Sequence, residues 1–514
     1  MNKREIKPIP AHLAEPLREA MAHHRAKRWR EAEAIYRKAA DQEPDHPVIL
    51  GSWGTVLLEM KNADAAVEVF EHALSIDPDY ILVLVTLAKA WNKLGNFEQS
   101  YDCCRRALAL DPNVIDTHVV LGDTLRLLDQ IDEARAAYQT ALDLDPDNAS
   151  AAMGVAYCRF TLGEHDDAIR VLRETIDKHP DSMIGQWSLS QFLLLLGQFE
   201  EGWERFKWRW EFGDTPPPEM YVGRPVWDGT SLEGKTVLVW NEQGLGDEML
   251  FSTCLADLLS KARPSKTYLA SDRRLIPIFE RTFPGIEFLP MEKSSGQGWQ
   301  VTLPEFDIQV AAGDLPKYYR LSAADFPDQP VRFLPDPEKV SRWQTRFDAL
   351  GPGPKVGIAW RGGIKGIFGR KKSTSLKNLA PILGVEGLQF VNIQYGECRD
   401  ELAEVAESLG IRVHDWDDLD PVADPDEQMA QISCLDLVVQ TSNASAHMAG
   451  ILNVPVWSMI PYFPDWRWSL TGEKCLWYPS MRVFRQPSPG DWDSVFSKVS
   501  SELRQWAAAA RADQ

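Results

Sequence analysis

Three polar residues stand between a predicted strand and a predicted helix, where a ligand phosphate could be held. They are Thr441, Ser442 and Asn443. Hydroxyl groups and backbone N–H groups at a helix N-terminus attract anions, so this turn suits a diphosphate or a sugar phosphate. His447 follows inside the predicted helix. It could serve the same site or be a core histidine held by hydrogen bonds, and the residue pattern leaves both interpretations open.

A second candidate anion site is the glycine-containing loop after the apolar run 356–360. Positive side chains at the carboxyl end of a parallel strand suit phosphate charge, although a run of charges is more often a solvated face. We favour the first interpretation because the loop also follows a predicted strand. The basic residues of this loop are Arg361, Lys365, Arg370, Lys371 and Lys372.

The segment 243–247 places two glycines and a carboxylate directly after another apolar run. Gly244 and Gly246 allow a sharp turn and a close approach to a ligand, and this turn would put Asp247 at the edge of a cleft. The same spacing would let Asp247 cap the next helix, which is the alternative interpretation. Residue 249 is Met, so the segment lacks the third glycine of a dinucleotide-binding fingerprint.

The elements that must position these residues form two alternating series of strands and helices. Such alternation predicts mainly parallel sheets with helices packed on them. The predicted strands of the first series are 236–240, 266–270 and 285–289, and those of the second are 356–360, 388–394, 411–414, 435–440 and 454–460. A last helix is predicted over 491–508, after the second series.

The N-terminal part of the chain is a repeat with a period of 34 residues. Prolines recur at Pro44, Pro78, Pro112, Pro146 and Pro180. Small residues stand twelve positions before each proline, and a larger residue stands eight before. Small residues allow close helix packing and Asp-Pro ends a helix, so the pattern predicts paired antiparallel helices. The period and pattern resemble the tetratricopeptide repeat, whose groove holds peptides or proteins. A self-association surface or a plain spacer is the alternative.

Composition excludes several classes of protein. A net charge of −20 argues against nonspecific binding to nucleic acid, and 44% hydrophobic content argues against disorder. No apolar run is long enough for a membrane span, and no secretory signal is readable. Seven cysteines without a C-x-x-C pair fit neither a disulfide framework nor a zinc site. We therefore expect a cytoplasmic protein with reduced thiols.

Several stretches of the second half resemble the heptosyltransferase-related family 9 glycosyltransferases, and bacterial proteins that fuse such a domain to tetratricopeptide repeats. With the repeats, this similarity covers nearly the whole chain. It implies an α/β GT-B fold of two Rossmann-like lobes after an all-α superhelix. The stretches are 242–247, 355–360, 435–438, 446–450, 464–468 and 477–486.

The resemblance also implies domain boundaries. The repeat solenoid would span 1–211 and a linker 212–232. The N-terminal Rossmann-like lobe with its crossover would span 233–350, and the lobe that binds the nucleotide-sugar 351–490. The helix of 491–514 would cross back to the first lobe, as it does in the GT-B fold.

Residue roles follow from the same resemblance. Asp247 matches the general base that takes a proton from an acceptor hydroxyl. The basic loop would neutralise the leaving phosphate, Gln394 could contact the nucleotide, and the helix that begins near Ser442 would hold the phosphates beside His447. Many relatives have Asp where this chain has Gln440, which removes a carboxylate that would hold a ribose or a sugar hydroxyl and leaves the identity of the donor open. No metal or other cofactor is expected, since cationic side chains and helix dipoles take that role.

The leading hypothesis is an inverting, metal-independent glycosyltransferase that moves a sugar from a nucleotide-sugar to a hydroxyl group. The acceptor would be Ser or Thr of a protein chosen by the repeat arm, with flagellin as an example. Two alternatives stay open: an enzyme of lipopolysaccharide or glycan assembly, and a non-catalytic repeat adaptor with a degenerate transferase domain.

Overall fold

The computed structural model describes residues 8–211, 224–294, 298–362, 369 and 371–512. The chain divides into two compact units, Met1–Gly185 and Gln186–Gln514. The segment 186–211, which the sequence analysis assigned to the arm, therefore packs within the second unit.

The first unit is a series of helices joined by short turns. They pair in chain order, with helices of neighbouring repeats in contact, as the 34-residue period predicts. After the 3₁₀ turn Ala11–Leu13, the helices are α1 Ala14–Arg25, α2 Trp29–Gln42, α3 Pro47–Glu59, α4 Ala63–Ile76, α5 Ile81–Leu94, α6 Phe97–Leu110, α7 Ile115–Leu127, α8 Ile131–Leu144, α9 Ala149–Thr161 and α10 His165–Lys178.

The repeated small and bulky positions form the core of this unit. Phe70 and Tyr138 are fully buried, and each packs against a glycine of the preceding helix. A methyl group on Gly54 would lie 2.5 Å from the Phe70 ring, and one on Gly122 would lie 2.6 Å from the Tyr138 ring. The helices thus approach closely because the small residue leaves room for the aromatic one. The predicted helical repeat is confirmed.

The second unit begins within α11 Met183–Leu195 and continues through α12 Phe199–Arg205 to a 3₁₀ turn, Phe206–Glu211. An α/β region follows. Its helices are α13 Leu245–Ser252, α14 Leu255–Asp257, α15 Ile276–Thr282, α16 Pro316–Tyr319, α17 Pro337–Asp348, α18 Ala380–Leu383, α19 Arg399–Leu409, α20 Pro425–Ser433, α21 Ala444–Ile451 and α22 Trp492–Ala512.

The first sheet of this region has the order β4-β3-β2-β1-β5 and is parallel except for β4. The second has the order β11-β10-β9-β6-β7-β8 and is parallel throughout. Both are Rossmann-like, which confirms the predicted α/β region. The strands are β1 Thr236–Trp240, β2 Lys266–Asp272, β3 Glu287–Ser294, β4 Gly298–Gln300, β5 Ile308–Ala311, β6 Lys355–Ala359, β7 Gln389–Asn392, β8 Val413–His414, β9 Leu437–Thr441, β10 Val456–Ile460 and β11 Met481–Arg485.

The last helix differs from the expectation that it crosses back to the first lobe. Its buried residues Val495, Phe496 and Val499 share a hydrophobic cluster with Val356 and Ile358 of β6. The Ser500 hydroxyl also donates to the Pro381 carbonyl at 2.7 Å. The helix α22 therefore covers the second sheet, because its apolar stripe finds a matching apolar face there.

Among the described helices, none combines the length and the apolar character that crossing a bilayer requires.

Candidate functional site

Each sheet has a point where the strand order reverses direction, and in open α/β sheets ligands bind at the carboxyl ends of the strands there. In the first sheet this point lies between β1 and β5. In the second it lies between β6 and β9. We call the spaces beyond these strand ends the first crevice, bordered by Glu242 and Gly313, and the second crevice, bordered by Arg361 and Ser442.

The first crevice is filled by the protein itself. Arg209, from the 3₁₀ turn before the α/β region, donates to Glu242 at 2.8 and 2.7 Å and pairs with Asp314 at 2.8 Å. The Gly313 N–H donates to the same Glu242 carboxylate at 3.2 Å. Burial raises the pKa of Glu242, and Arg209 opposes that rise. Arg209 and Glu242 thus satisfy each other. The Asn241 amide oxygen beside them is buried without a partner among the described residues.

The loops that border the second crevice are tied together by amide side chains. Gln394 accepts the backbone N–H groups of Trp360 at 2.9 Å and Arg361 at 2.8 Å. Asn443 donates to the Arg361 carbonyl at 3.1 Å and caps α21 by accepting the Ser445 N–H at 2.9 Å. These contacts fix the loop after β6 against the start of α21. Gln394 thus braces the backbone, a role distinct from the predicted nucleotide contact.

Other polar groups beside the second crevice have no partner among the described residues. Gln440 and Thr441, at the end of β9, are fully buried. Both amide atoms of Gln440 and the Thr441 hydroxyl lack hydrogen bonds there, as does the Ser458 hydroxyl on the adjacent strand. Unpaired buried polar groups are costly, and an ordered water, an ion or a ligand is a common way in which they are completed.

The first lobe is built on the sheet of β1–β5 and the second lobe on the sheet of β6–β11, and Asp247 lies where the two lobes meet. One carboxylate oxygen accepts the Gly244 N–H at 3.4 Å, which is the helix cap that the sequence allowed. The other is paired with Arg467 of the second lobe. A nearby residue, Gln243, has a φ of 67°, a strained value for a residue other than glycine. Asp247 is therefore both a cap and one half of an ion pair between lobes.

Arg467 is held by its neighbours in the sequence. It lies in the 3₁₀ turn Trp466–Trp468, and Asp465 accepts both its backbone N–H at 3.1 Å and its guanidinium at 2.6 Å. Trp466 packs edge-on against Trp203, with ring centres 5.2 Å apart. Trp468 donates to the Ser442 hydroxyl at 2.8 Å. Two anchored tryptophans thus fix the arginine between them.

The charges around Arg467 also set the state of Asp465. Burial alone would raise the pKa of Asp465, but Arg467 and Lys372 outweigh it and hold the pKa at about 2. Lys372 lies 3.9 Å from the Asp465 carboxylate. Asp465 is therefore a permanent anion that keeps both cations near the meeting point of the lobes.

His447 is buried against the first lobe. Its Nδ1 shares a hydrogen bond with the Tyr478 hydroxyl at 2.9 Å, and a methyl group on Gly246 would lie 2.8 Å from its ring. Burial lowers the pKa of His447 to about 3, helped by the positive charge of Arg467. The imidazole is neutral, so His447 can offer hydrogen bonds and packing but no positive charge for phosphate.

The structure brings together most of the predicted site residues that it describes. Gly246 and Asp247 meet His447 and Arg467, and Asn443 meets Arg361 across the second crevice. The Arg361 guanidinium donates to the Glu397 carbonyl at 2.7 Å and forms an ion pair with Glu401 at 3.0 Å. Lys371 is partly buried. Lys365 and Arg370 lie outside the described residues.

Neither Arg467 nor Asp465 is among the site residues predicted from the sequence. A signal was present, because an arginine between two tryptophans after Pro-Asp is unusual for a solvent-exposed turn. The contact with Asp247 joins residues 220 positions apart, so no local pattern reveals it. Within the described ranges, no group of three or more His, Cys, Asp or Glu side chains is arranged to hold a metal ion.

Comparison with known proteins identifies the repeats. Tetratricopeptide repeat models match residues 17–81, 119–183 and 159–202, and a further tetratricopeptide repeat model matches 57–123. Protein FlbA of Caulobacter vibrioides is 34% identical over 333 residues, which cover 63% of this chain and 55% of that protein. The chain thus spans about half the length of this relative. The N-terminal repeats are tetratricopeptide repeats, which are protein-interaction modules.

Several solved structures match this chain with low TM-scores. A tetratricopeptide repeat protein of Thermus thermophilus matches with a TM-score of 0.33 and 21% identity, covering 35% of this chain and 99% of that one. MamA of Desulfovibrio magneticus matches with 0.30 and 17%, covering 34% and 99%. A repeat protein of Parabacteroides merdae matches with 0.33 and 17%, covering 39% and 80%.

Proposed function

We propose that the second unit is a GT-B-type glycosyltransferase that moves a sugar from a nucleotide-sugar donor to a hydroxyl acceptor. The observation that carries the proposal is the meeting of two Rossmann-like lobes at Asp247. The Asp247 carboxylate of one lobe pairs with Arg467 of the other, and Gly246 beside it packs against His447 of α21. This is the combination that proton removal from an acceptor and charge neutralisation of a leaving phosphate require.

In this proposal the second crevice receives the nucleotide and its phosphates. The loop after β6 and the N-terminus of α21 border it, and the buried Gln440 and Thr441 groups at the end of β9 have no partner among the described residues. The first crevice is closed by Arg209, so one lobe offers a donor site and the other presents Asp247. Lys365 and Arg370 stay predictions for phosphate contact, together with Lys371.

The reaction then follows a direct displacement. The acceptor hydroxyl loses its proton to an Asp247 oxygen as its oxygen bonds to the anomeric carbon of the sugar. The bond between that carbon and the phosphate oxygen breaks, and the nucleotide leaves with its electron pair and negative charge. Arg467 and Lys372 supply the nearby positive charge in place of a metal. Turnover should accordingly survive treatment with EDTA.

The acceptor is proposed to be a protein. Tetratricopeptide repeats bind peptides or proteins, so the first unit supports an acceptor that is selected by its polypeptide chain. Ser or Thr of a flagellin-type protein is the specific acceptor that we propose, in the cytoplasm. An acceptor of lipopolysaccharide or glycan assembly is the competing outcome, and parallel assays with a protein and an oligosaccharide acceptor distinguish them.

The test of enzymatic function is donor turnover by the full chain. A thermal-shift panel of UDP, GDP, ADP and CMP first identifies the nucleotide, and the matching donors are then assayed for hydrolysis and transfer. We expect Asp247→Asn to lose turnover by about 100-fold or more while still binding the nucleotide. Stabilisation by none of the nucleotides would favour the adaptor without catalysis.

A matched control distinguishes the role of Asp247 as a base from its role as a helix cap. Asp325 also accepts a backbone N–H three residues earlier, that of Ser322, at 2.7 Å, but it stands at an exposed turn. Asp325→Asn removes the charge from the same kind of cap outside the site. If Asp325→Asn and Asp247→Asn reduce turnover equally, Asp247 acts through the fold and the assigned base is wrong.

A further inference from the structure

Arg467 serves two carboxylates that lie in different lobes. One end of its guanidinium donates to Asp465 of its own loop at 2.6 Å, and the other pairs with Asp247 of the first lobe. The Arg467 side chain is only 12% exposed, so solvent screens these pairs weakly. The guanidinium Nε is buried and has no partner among the described residues. Arg467 therefore has an unused donor beside a partner that it can exchange.

The ion pair restrains Asp247 as a base. A carboxylate takes a proton from a hydroxyl group through a hydrogen bond, so one of its oxygens must be accessible to that hydroxyl. One Asp247 oxygen is occupied by Arg467 and the other faces the Gly244 N–H. A hydroxyl group that approaches Asp247 therefore competes with Arg467 for the same carboxylate.

We infer that Arg467 is the shared partner of Asp247 and of the donor phosphate, and that phosphate binding releases Asp247. This inference rests on the proposed function and adds to it a positioning residue and an order of binding. The phosphate oxyanion takes the place of the Asp247 carboxylate on the guanidinium. The base becomes available only when the donor is in place, so the donor binds before the acceptor hydroxyl is activated.

The surroundings explain why Arg467 would stay in place when Asp247 leaves it. Asp465 holds one end of the guanidinium, and the flanking tryptophans are packed against Trp203 and bonded to Ser442. With Asp247 withdrawn, Arg467 and Lys372 face one carboxylate and leave an excess positive charge. An arriving phosphate meets that charge, and guanidinium groups bind phosphate through paired hydrogen bonds.

Inorganic pyrophosphate is the probe that tests this exchange, with binding to the full chain measured by calorimetry. If Asp247 competes with phosphate for Arg467, Asp247→Asn should tighten pyrophosphate binding by about 3- to 10-fold, since a nearby negative charge is removed. Asp325→Asn, the exposed cap, should leave the affinity unchanged. Arg467→Lys, which keeps the charge but loses the fork, should weaken binding by about 10-fold.

Two results would overturn the inference. One is unchanged or weaker pyrophosphate binding by Asp247→Asn, and the other is no binding by any of these folded variants. A melting temperature for each variant verifies folding. This test and the test of the proposed function can fail separately. If Asp247→Asn binds pyrophosphate more tightly but the natural chain turns over no donor, Arg467 exchanges its partner and the protein is not a transferase. If turnover depends on Asp247 but Asp247→Asn binds pyrophosphate no more tightly, the protein is a transferase and the proposed exchange at Arg467 is wrong.

Discussion

The two crevices of the second unit occupy equivalent positions in their sheets, but their buried polar side chains are paired differently. In the first, Arg209 and Glu242 pair at 2.7 Å with side chains that are 3% and 0% exposed. In the second, Gln440 and Thr441 are buried without partners among the described residues. One crevice is occupied by the chain's own ion pair, with the Asn241 amide oxygen left unpartnered among the described residues, whereas the other leaves the Gln440 amide and the Thr441 hydroxyl unpartnered.

This difference distinguishes a crevice with a structural role from one that could bind a ligand. A buried ion pair that satisfies both partners holds elements together but has no capacity for a ligand. Unpaired polar groups in a crevice lower the stability of the folded protein, and a ligand that bonds to them raises it again. The second crevice is therefore the better candidate for ligand binding, and substitutions in the two crevices should behave differently.

The largest effect is expected in the first crevice. Arg209→Met removes the partner of Glu242 and of Asp314 and leaves a buried carboxylate uncompensated. Breaking a buried pair in this way costs about 3–5 kcal/mol of unfolding free energy. Urea unfolding followed by tryptophan fluorescence measures it, and 15 of the 19 tryptophans lie from Trp203 onward, so the signal reports mainly on the second unit.

A control for this prediction is Arg263→Met. Arg263 pairs with Glu233 at 3.2 Å, but both side chains are well exposed, at 70% and 64%. An exposed pair contributes less than about 1 kcal/mol. Equal losses for Arg209→Met and Arg263→Met would mean that the first crevice is hydrated and that the contrast with the second one is wrong.

A substitution of Gln394 tests the part of the second crevice whose polar groups are paired. Gln394→Leu leaves the Trp360 and Arg361 N–H groups without the acceptor that they share. One buried donor without a partner costs about 1–3 kcal/mol, so a loss of about 2–3 kcal/mol is expected in the same urea assay. Gln344→Leu, in the exposed part of α17, should change stability by less than about 0.5 kcal/mol. A loss as small as that of the control would return Gln394 to the ligand-contact role predicted from sequence.

The two lobes should also respond to pH with opposite signs. Burial raises the pKa of Glu248 in the first lobe to about 7, although Ser271, the Asp272 N–H and Asn241 donate to its carboxylate. The stability from Glu248 is complete below pH 4.5 and is lost as pH rises through 7. Burial lowers the pKa of His447 to about 3, so its contribution is complete above pH 6.5 and is lost as pH falls.

Between about pH 5 and 6.5 each group should therefore change the unfolding free energy by about 2 kcal/mol, in opposite directions. In Glu248→Gln, stability should rise more steeply with pH over this window than in the natural chain. In His447→Asn, it should fall with rising pH. Urea midpoints at several pH values measure both slopes, and slopes of the same sign would show that one of the two groups is solvated.

The sequence predicted those parts of the second unit that local patterns specify. The strands β1, β6 and β9 were found because their apolar runs are continuous and end at glycine or polar residues. The turn at Asn443 was predicted because a polar residue caps the helix that follows it. β6 and β9 border the second crevice, so the place of the candidate site followed from the sequence.

The remainder depends on contacts that are distant in the chain. β5 was missed because it has only four residues and is defined by its pairing with β1, far earlier in the chain. β11 was missed because Arg482 and Arg485 interrupt its apolar pattern. The closing of the first crevice by Arg209 and the pairing of Arg467 with Asp247 both arise from tertiary packing. Propensity and spacing contain no information on such pairs.

The smallest expected effect is also the one with an unusual sign. Gln440→Leu replaces a buried amide, unpartnered among the described residues, by an apolar side chain of similar size. Without ligand, the variant should be more stable than the natural chain by about 1–2 kcal/mol, since an unpaired buried group is removed. The nucleotide found by the thermal-shift panel should then bind it more weakly. Gln428→Leu is the matched control, because the Gln428 amide donates to the Ile393 carbonyl at 2.9 Å and its loss should be destabilising. If Gln440→Leu were destabilising too, the two crevices would be equally satisfied by the protein, and the polar groups at the end of β9 would be structural.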